Sequence, residues 1–155
     1  MSSDCLLVAA TPGLHQAVIT IVTDLLEKKK VRPNAFALDL PCGAGSMTTS
    51  LEGLGLTAVA SDLELHENFQ GRTSSFVQAD ANHRLSFASC CFDLVVSIEG
   101  IEHFENPSAF VREVERILSP GGFAIVTTPN VDSHLSKKII TTKVIRGIFL
   151  QKLLT

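Results

Sequence analysis

Three aspartates and a glycine-bearing turn are the residues of this chain whose types and spacing could hold a small polar ligand. Gly43 and Gly45 lie in a turn that follows a short apolar run, and Asp39 directly precedes that turn. Asp62 and Asp80 each follow a further apolar run. Glycines let a ligand approach the backbone closely, and carboxylates accept hydrogen bonds from hydroxyls and amines. The pattern therefore predicts a site for a ligand that carries such groups.

The elements that must position these residues alternate between apolar runs and amphipathic segments. We predict strands at 35–40, 57–61, 75–79, 92–98 and 123–128, and helices at 14–30, 46–54, 63–70 and 107–118. Continuous apolar strands between helices are typical of βαβ units, whose right-handed crossovers build a parallel sheet covered on both faces. The predicted fold is therefore an open, doubly wound α/β sheet, with its ligand beyond the carboxyl ends of the strands.

Length and composition exclude several classes of protein. The 155 residues correspond to about one domain, and we expect a single domain over 1–155. With 45% hydrophobic and 19% charged residues, the chain is neither disordered nor collagen-like. The four cysteines show no CxxC pair, so neither a disulfide scaffold nor a zinc site is predicted. No apolar run is long enough for a transmembrane helix, and the start resembles no secretory signal, so we expect a cytoplasmic protein.

Charge is unevenly distributed along the chain. Residues 1–130 carry 8 Lys and Arg against 15 Asp and Glu, whereas residues 131–155 carry 5 against 1. Because binding to phosphates needs clustered cations, the acidic body argues against nucleic acid as an obligatory partner, while the basic residues of 131–155 keep the question open.

An adenosine-containing ligand suits the acids at successive strand ends. A carboxylate at Asp62 can accept both ribose hydroxyls, and one at Asp80 can accept the adenine amino group, with Leu63 and Ala81 flanking the ring. Taken singly, a Gly-x-Gly is often only a tight turn, and these acids are often helix caps. Their combination favours the ligand. A dinucleotide site usually has a third glycine where this chain has Thr48, and no P-loop lysine follows the glycines.

At this point the sequence resembles a known family. ALDLPCGAG resembles the first motif of class I S-adenosylmethionine-dependent methyltransferases, usually LDxGCGxG. The resemblance continues in order through VASDLE, FVQADA, FDLVVSIEGIEHFENP and LSPGGFAIVTTPN, over roughly residues 14–135. It is most similar to the bacterial branch with an E-x-x-E-H segment after strand four. The resemblance implies a Rossmann-like sheet of order 3-2-1-4-5, S-adenosyl-L-methionine as cofactor and S-adenosyl-L-homocysteine as product.

The resemblance also implies roles for individual residues. The segment from Asp39 to Gly45 would line the methionine end of the cofactor, Asp62 would bind the ribose and Asp80 the adenine. The expected cofactor-binding residues are Asp39, Leu40, Pro41, Cys42, Gly43, Gly45, Asp62, Leu63, Asp80, Ala81 and Glu99. Pro41 stands where the family commonly has glycine. We interpret Cys42 as a small packing residue, not a nucleophile.

Two readings of the segment after strand four bear on catalysis. Methyl transfer is an in-line displacement that needs a base only if the acceptor must lose a proton. His103, with Glu102 beside it, is the candidate base, and the alternative is a histidine that caps a helix or is satisfied in the core. Some similar families bind Mg²⁺ or Mn²⁺ through such a segment, which would make Glu99, Glu102 and His103 ligands. Many relatives with these letters bind none, so we expect no metal.

The ends of the chain depart from the expected family fold. Residues 1–13 are interpreted as an N-terminal extension, and 131–155 as a basic C-terminal segment in place of the usual last two strands. We predict an amphipathic helix over 135–154 that packs on strand five, with a membrane-surface or partner-binding helix as alternative. Strand five is then a sheet edge, which predicts either cover by this segment or a homodimer through that edge or through the helix.

The predicted function is methyl transfer to the oxygen, nitrogen or carbon of a small-molecule acceptor. The alternative is a cofactor-binding module of weak or no catalytic activity that acts with a partner chain.

Overall fold

A five-stranded parallel sheet is the frame of the molecule. The structure is a computed structural model that describes residues 13–72 and 75–128 and the backbone of 141–142 and 151–152. The strands are β1 (Phe36–Asp39), β2 (Thr57–Asp62), β3 (Phe76–Gln78), β4 (Phe92–Ile98) and β5 (Leu118–Thr127). Their spatial order is β3-β2-β1-β4-β5, and every neighbouring pair is parallel. The predicted doubly wound, Rossmann-like order is confirmed.

The register of the sheet places the ends of the central strands side by side. Asp39, the last residue of β1, lies opposite Ala60 of β2 and Val96 of β4. Because all strands run the same way, the turns that follow them meet at one edge of the sheet. The residues predicted to bind a ligand follow these strands.

Helices cover both faces of this sheet, as predicted. They are α1 (Leu14–Glu27), α2 (Ser46–Gly53) and α3 (Pro107–Ile117), with a single 3₁₀ turn at Ile101–His103. Side chains of α1 and α2 pack with Val96 and Ile125 in one core cluster. Those of α3 pack with Leu38 and Val95 in the other.

The local sequence of α3 shows why it forms where it does. Asn106 caps its first turn, since its side-chain oxygen accepts a hydrogen bond from Ala109 N–H at 3.0 Å, and Pro107 follows at the first helical position. Phe110, Val114 and Ile117 recur at helical spacing and are buried. Burial of each such side chain contributes about 1.5–3 kcal/mol.

Two of the predicted helices differ from the structure: one is absent, and the other is shorter. The helix predicted at 63–70 is wrong, because this stretch consists of bends and turns in the structure. Gln70 N–H donates to Ala44 O at 2.8 Å, so the backbone is tied to the turn after β1 and not to itself. The first helix ends at Glu27 instead of residue 30, because Lys30 N–H and Val31 N–H both donate to the same carbonyl of α1.

Strand five begins earlier than predicted, directly after α3. Leu118 lies opposite Phe92, and after a shift in register Phe123 lies opposite Leu94. The Ser119–Gly122 segment forms the irregularity between these two pairs.

The C-terminal segment is described only in part. Thr141–Thr142 (β6) pairs in an antiparallel way with Gln151–Lys152 (β7). The helix predicted over 135–154 is therefore wrong at these four residues, and its other residues lie outside the described part, as do residues 1–12 of the predicted extension. β5 forms one edge of the five-stranded sheet. No helix within the described residues is long and apolar enough to cross a membrane.

Candidate cofactor site

The turn between β1 and α2 is held by both neighbouring strands. Leu40 N–H donates to a carbonyl of β4 at 3.0 Å, and Cys42 N–H donates to a carbonyl of β2 at 3.0 Å. Gly43 and Gly45 have φ of 49° and 80°, a left-handed conformation that favours glycine. A Cβ on Gly43 would meet no atom of the described residues within 4 Å. Backbone conformation and not crowding therefore requires glycine at 43, and among the described residues this side of the turn is open.

Phe69 closes the other side of the turn. A Cβ on Gly45 would lie 2.6 Å from the Phe69 ring, and one on Gly71 would lie equally close to it. The ring therefore fills the space that both glycines leave. Phe69 was not predicted from the sequence, where its only signal is an aromatic side chain two residues before a glycine.

Asp62, at the end of β2, presents a carboxylate to the open side of the turn. Its Oδ2 accepts a hydrogen bond from Gly43 N–H at 2.8 Å, and its Oδ1 accepts one from Leu63 N–H at 2.7 Å. Each oxygen of a carboxylate retains a second lone pair for a further donor. The carboxylate is thus oriented by the backbone while it can still accept a pair of hydroxyls. The Leu63 side chain beside it is 58% exposed.

Asp39 is a buried acid beneath the turn. Thr48 Oγ1 donates to its Oδ2 at 2.6 Å. Burial raises the pKa of Asp39 to about 7, with Asp62 raising it further and the Thr48 hydrogen bonds opposing the shift. Near neutral pH the Asp39 carboxyl group is therefore protonated in some molecules and charged in others. A cation placed beside it would favour the charged form.

Cys42 is chemically inert in this position. Its thiol is buried, and burial together with the negative charges of Asp39 and Asp62 raises its pKa to about 12. The thiol stays protonated at neutral pH, which agrees with the interpretation of Cys42 as a packing residue.

Asp80, two residues beyond β3, has both carboxylate oxygens engaged. Oδ1 accepts a hydrogen bond from Asn82 N–H at 2.9 Å, and Oδ2 lies 2.9 Å from His83 Nδ1. The Asn82 bond, followed by the His83 contact, outweighs partial desolvation and lowers the pKa of Asp80. Asp80 is therefore anionic at neutral pH. Ala81 is buried in the core cluster on the α3 face.

Glu99 and Gly100 bring the segment after β4 against the turn after β1. Glu99 has a φ of 47°, and its N–H donates to both the carbonyl and the hydroxyl oxygen of Thr127 at 3.1 Å. A Cβ on Gly100 would lie 2.6 Å from Cγ of Pro41, so this ring packs directly on the glycine. Glycine at 100 thus makes room for the proline that replaces the family's usual glycine.

Glu102 and His103 occupy the 3₁₀ turn and are exposed. Exposure rules out the reading of His103 as a histidine satisfied in the core. Within the described residues, no group of three or more His, Cys, Asp or Glu side chains could hold a metal ion. Glu99, Glu102 and His103 therefore do not form the alternative metal site in this structure.

His15 is a second histidine near this edge, and the sequence analysis did not single it out. It is the second residue of α1 and is half-buried. Burial lowers the pKa of His15, while the charge of Glu99 raises it. The start of α1 therefore lies near the carboxyl end of β4, a proximity that no local sequence signal could reveal.

Comparison with known proteins agrees with this geometry. A family model described as "Methyltransferase domain" matches residues 38–126, more than half of the chain. The chain belongs to this family. The expected resemblance to class I S-adenosylmethionine-dependent methyltransferases is confirmed, and the family implies S-adenosylmethionine as cofactor.

Individual relatives show how much of the family's length this chain represents. It is 33% identical over 101 residues to a ubiquinone biosynthesis O-methyltransferase of Caulobacter sp. (strain K31), covering 60% of this chain and 40% of that protein. The mitochondrial enzyme of the same name from Dictyostelium discoideum is 29% identical over 111 residues, covering 60% and 35%. A solved protein from Pyrococcus horikoshii superposes with a TM-score of 0.61 at 28% identity, covering 78% and 60%. The chain spans well under half the length of these two curated relatives.

Proposed function

We propose that this domain binds S-adenosylmethionine at the carboxyl edge of its sheet and transfers the methyl group to a small molecule. The observation that carries the proposal is the Asp62 carboxylate, held by Gly43 N–H beside an open glycine turn. Oxygen is the favoured acceptor atom, because the curated relatives are O-methyltransferases. Nitrogen and carbon acceptors remain within the proposal, since family and fold do not specify the acceptor.

The described residues suit the chemical groups of this cofactor. Asp62 offers two oriented oxygens to the ribose hydroxyls, and the exposed Leu63 offers an apolar surface to the adenine ring. Asp80 is anionic and lies beyond the neighbouring strand, where it would accept the adenine amino group. Asp39, beneath the turn, would gain its charge beside the ammonium group of the methionine end.

The role of the protein in the reaction is chiefly alignment. When bound, S-adenosylmethionine supplies a methyl group on a positively charged sulfur, ready for in-line displacement. We assign His103 the role of taking the proton from the acceptor, because its imidazole is exposed on the turn that follows β4 and a neutral imidazole accepts a proton on its unprotonated ring nitrogen. Glu102, on the same turn, would orient the imidazole or the acceptor.

A second candidate function is favoured by the length of the chain. Because the match covers about 40% of a curated relative, the alternative is that another chain segment or a partner supplies part of the acceptor pocket. In this alternative the domain binds the cofactor but catalyses transfer weakly unless a partner is present. The edge strand β5 is where a second copy of the chain would pair, and a cytoplasmic location suits either candidate.

A methyl-transfer screen separates the two candidates. The chain is incubated with S-adenosylmethionine carrying a radiolabelled methyl group, together with phenols, amines, a protein mixture or RNA. We expect label on a small phenol, and none in the same assay with Asp62→Ala. Label on no acceptor, from a chain that binds S-adenosylhomocysteine, would favour the second candidate, whereas label on protein or RNA alone would overturn the proposed acceptor class.

A further inference from the structure

Asn82 connects two loops that the sheet order keeps apart. Strands β3 and β4 are separated by β2 and β1, which places them about 14 Å apart at the usual strand spacing. Asn82 lies in the loop after β3, and Glu105 lies in the loop after the 3₁₀ turn that follows β4. The side-chain oxygen of Asn82 accepts a hydrogen bond from Glu105 N–H at 2.7 Å. The connection is short and joins the two sides of the candidate site.

The backbone of the same residue holds the carboxylate proposed to bind adenine. Asn82 N–H donates to Asp80 Oδ1 at 2.9 Å. We call the residues around Asp62 and Asp80 the cofactor side of the site, and the 101–105 segment with Glu102 and His103 the acceptor side. Asn82 therefore contacts the cofactor side through its backbone and the acceptor side through its side chain. Asn82 is half-buried; its backbone bond to Asp80 is partly buried, and its side-chain bond to Glu105 is exposed to solvent.

The loop that follows Asn82 is hydrogen-bonded to α3, the helix that begins two residues after Glu105. Leu85 N–H donates to Glu113 Oε2 at 3.0 Å, and Arg116 Nη2 donates to Leu85 O at 2.9 Å. Glu113 and Arg116 both belong to α3, which starts two residues after Glu105. The contacts with α3 therefore hold the Leu85 end of the Asp80 loop in place. A movement at the Asp80 end would be transmitted through Asn82 to the loop that carries Glu102 and His103.

We propose that Asn82 is a positioning residue that couples cofactor binding at Asp80 to the order of the 101–105 segment. The coupling rests on the proposed function, because it requires the cofactor to engage Asp80. Since coupling between two sites is reciprocal, a cofactor that fixes Asp80 also stabilises the Asn82–Glu105 hydrogen bond. Cofactor binding would then hold the turn that carries His103 more firmly for the acceptor.

The chain supplies a matched control one residue after Glu105. Asn106 also accepts a backbone N–H through its side-chain oxygen, from Ala109 at 3.0 Å, but its bond lies within the start of α3. Loss of the Asn106 side chain loosens the same region without touching the link to Asp80. A general stabilising effect and a specific coupling therefore give different results in the two variants.

The test is amide hydrogen exchange at residues 101–105 of the full chain, with and without saturating S-adenosylhomocysteine. We expect the ligand to slow exchange of the Glu105 amide about tenfold in the unmodified chain, within the range of about 5- to 150-fold that is usual for coupling between two sites. Asn82→Ala should lose this slowing, and Asn82→Asp, which keeps the acceptor oxygen, should retain it. Asn106→Ala should exchange faster in both states yet keep the ligand-dependent difference.

Two results would overturn the inference alone. One is ligand-dependent slowing that persists in Asn82→Ala, and the other is its equal loss in Asn106→Ala. Absence of any S-adenosylhomocysteine binding to the unmodified chain, measured by calorimetry, would instead overturn the proposed function and the inference with it. If Asn82→Ala does not fold, Asn82→Ser replaces it, because the shorter side chain cannot reach Glu105 and the same expectations apply.

Discussion

The two sides of the candidate site are built differently. The carboxylates of Asp62 and Asp80, on the cofactor side, are each held by backbone N–H groups. Glu102 and His103, on the acceptor side, are exposed on one turn of 3₁₀ helix. Fixed donors suit a cofactor that is the same in every turnover, whereas loops suit an acceptor that varies within a family. The backbone thus orients the carboxylates of the cofactor side, whereas the acceptor side relies on exposed side chains of one short turn.

The largest expected effect comes from removing the oriented carboxylate. Asp62→Ala should raise the Kd for S-adenosylhomocysteine about 100-fold or more, because two hydrogen bonds to a charged group contribute about 1.5–3 kcal/mol each. Calorimetric titration measures the change. Glu64→Ala, which removes an exposed acid from the same loop, is the control for net charge and should leave the affinity within about twofold. Equal losses in both variants would mean that charge alone, and not the Gly43 contact, governs binding.

The next effect tests the buried acid on the cofactor side. The pKa of Asp39 is about 7 in the folded chain against 3.8 ordinarily, so its contribution to stability is greatest below pH 4 and is lost as pH rises through about 7. Asn cannot ionise, so Asp39→Asn should be more stable than the unmodified chain at pH 8, by a few kcal/mol, while the two differ less at pH 5. Urea unfolding at both pH values measures this.

The same variant should bind S-adenosylhomocysteine about tenfold more weakly at pH 8, since the charge facing the ammonium group is lost. A stability difference between Asp39→Asn and the unmodified chain that does not grow from pH 5 to pH 8 would contradict the raised pKa.

A smaller effect tests the contact between the two sides. Gly100→Ala places a methyl group against the Pro41 ring, which must move, so we expect a loss of about 1–3 kcal/mol in unfolding free energy and several-fold weaker cofactor binding. Gly53→Ala, at a helical position with no described atom near the new methyl group, should be neutral or stabilising.

The double variant Pro41→Gly with Gly100→Ala should recover much of the loss, because the overlapping ring is gone. Additive losses in the double variant would show that the two residues act independently.

The smallest effect on binding is expected on the acceptor side. His103→Ala should leave the Kd for S-adenosylhomocysteine unchanged and lower kcat about 10²- to 10⁴-fold for an acceptor that must lose a proton. Single-turnover methyl transfer measures the rate. An unchanged kcat would remove His103 from the reaction, and a much weaker Kd would place it on the cofactor side.

Much of the fold and the cofactor side follows from local sequence. Alternating apolar runs and helices predict the doubly wound parallel sheet, and the family resemblance implies its strand order. Asp62 and Asp80 are found because each lies at or just beyond the carboxyl end of a strand. The helix predicted at 63–70 failed for a non-local reason, since Gln70 bonds to the turn at Ala44.

The contacts that the sequence could not reveal join residues far apart in the chain. Asn82 meets Glu105, Gly100 packs on Pro41, and Glu99 influences His15 on α1. Such pairs depend on how loops from different strands come together in space, and no spacing or periodicity within one segment encodes them. The acceptor side was accordingly harder to predict than the cofactor side.

Calorimetric titration of the unmodified chain with S-adenosylhomocysteine and S-adenosylmethionine tests the central claim most directly. We predict saturable binding of both ligands at one site per chain, weakened strongly by Asp62→Ala and not by Glu64→Ala. Failure of both ligands to bind a folded chain would contradict the account.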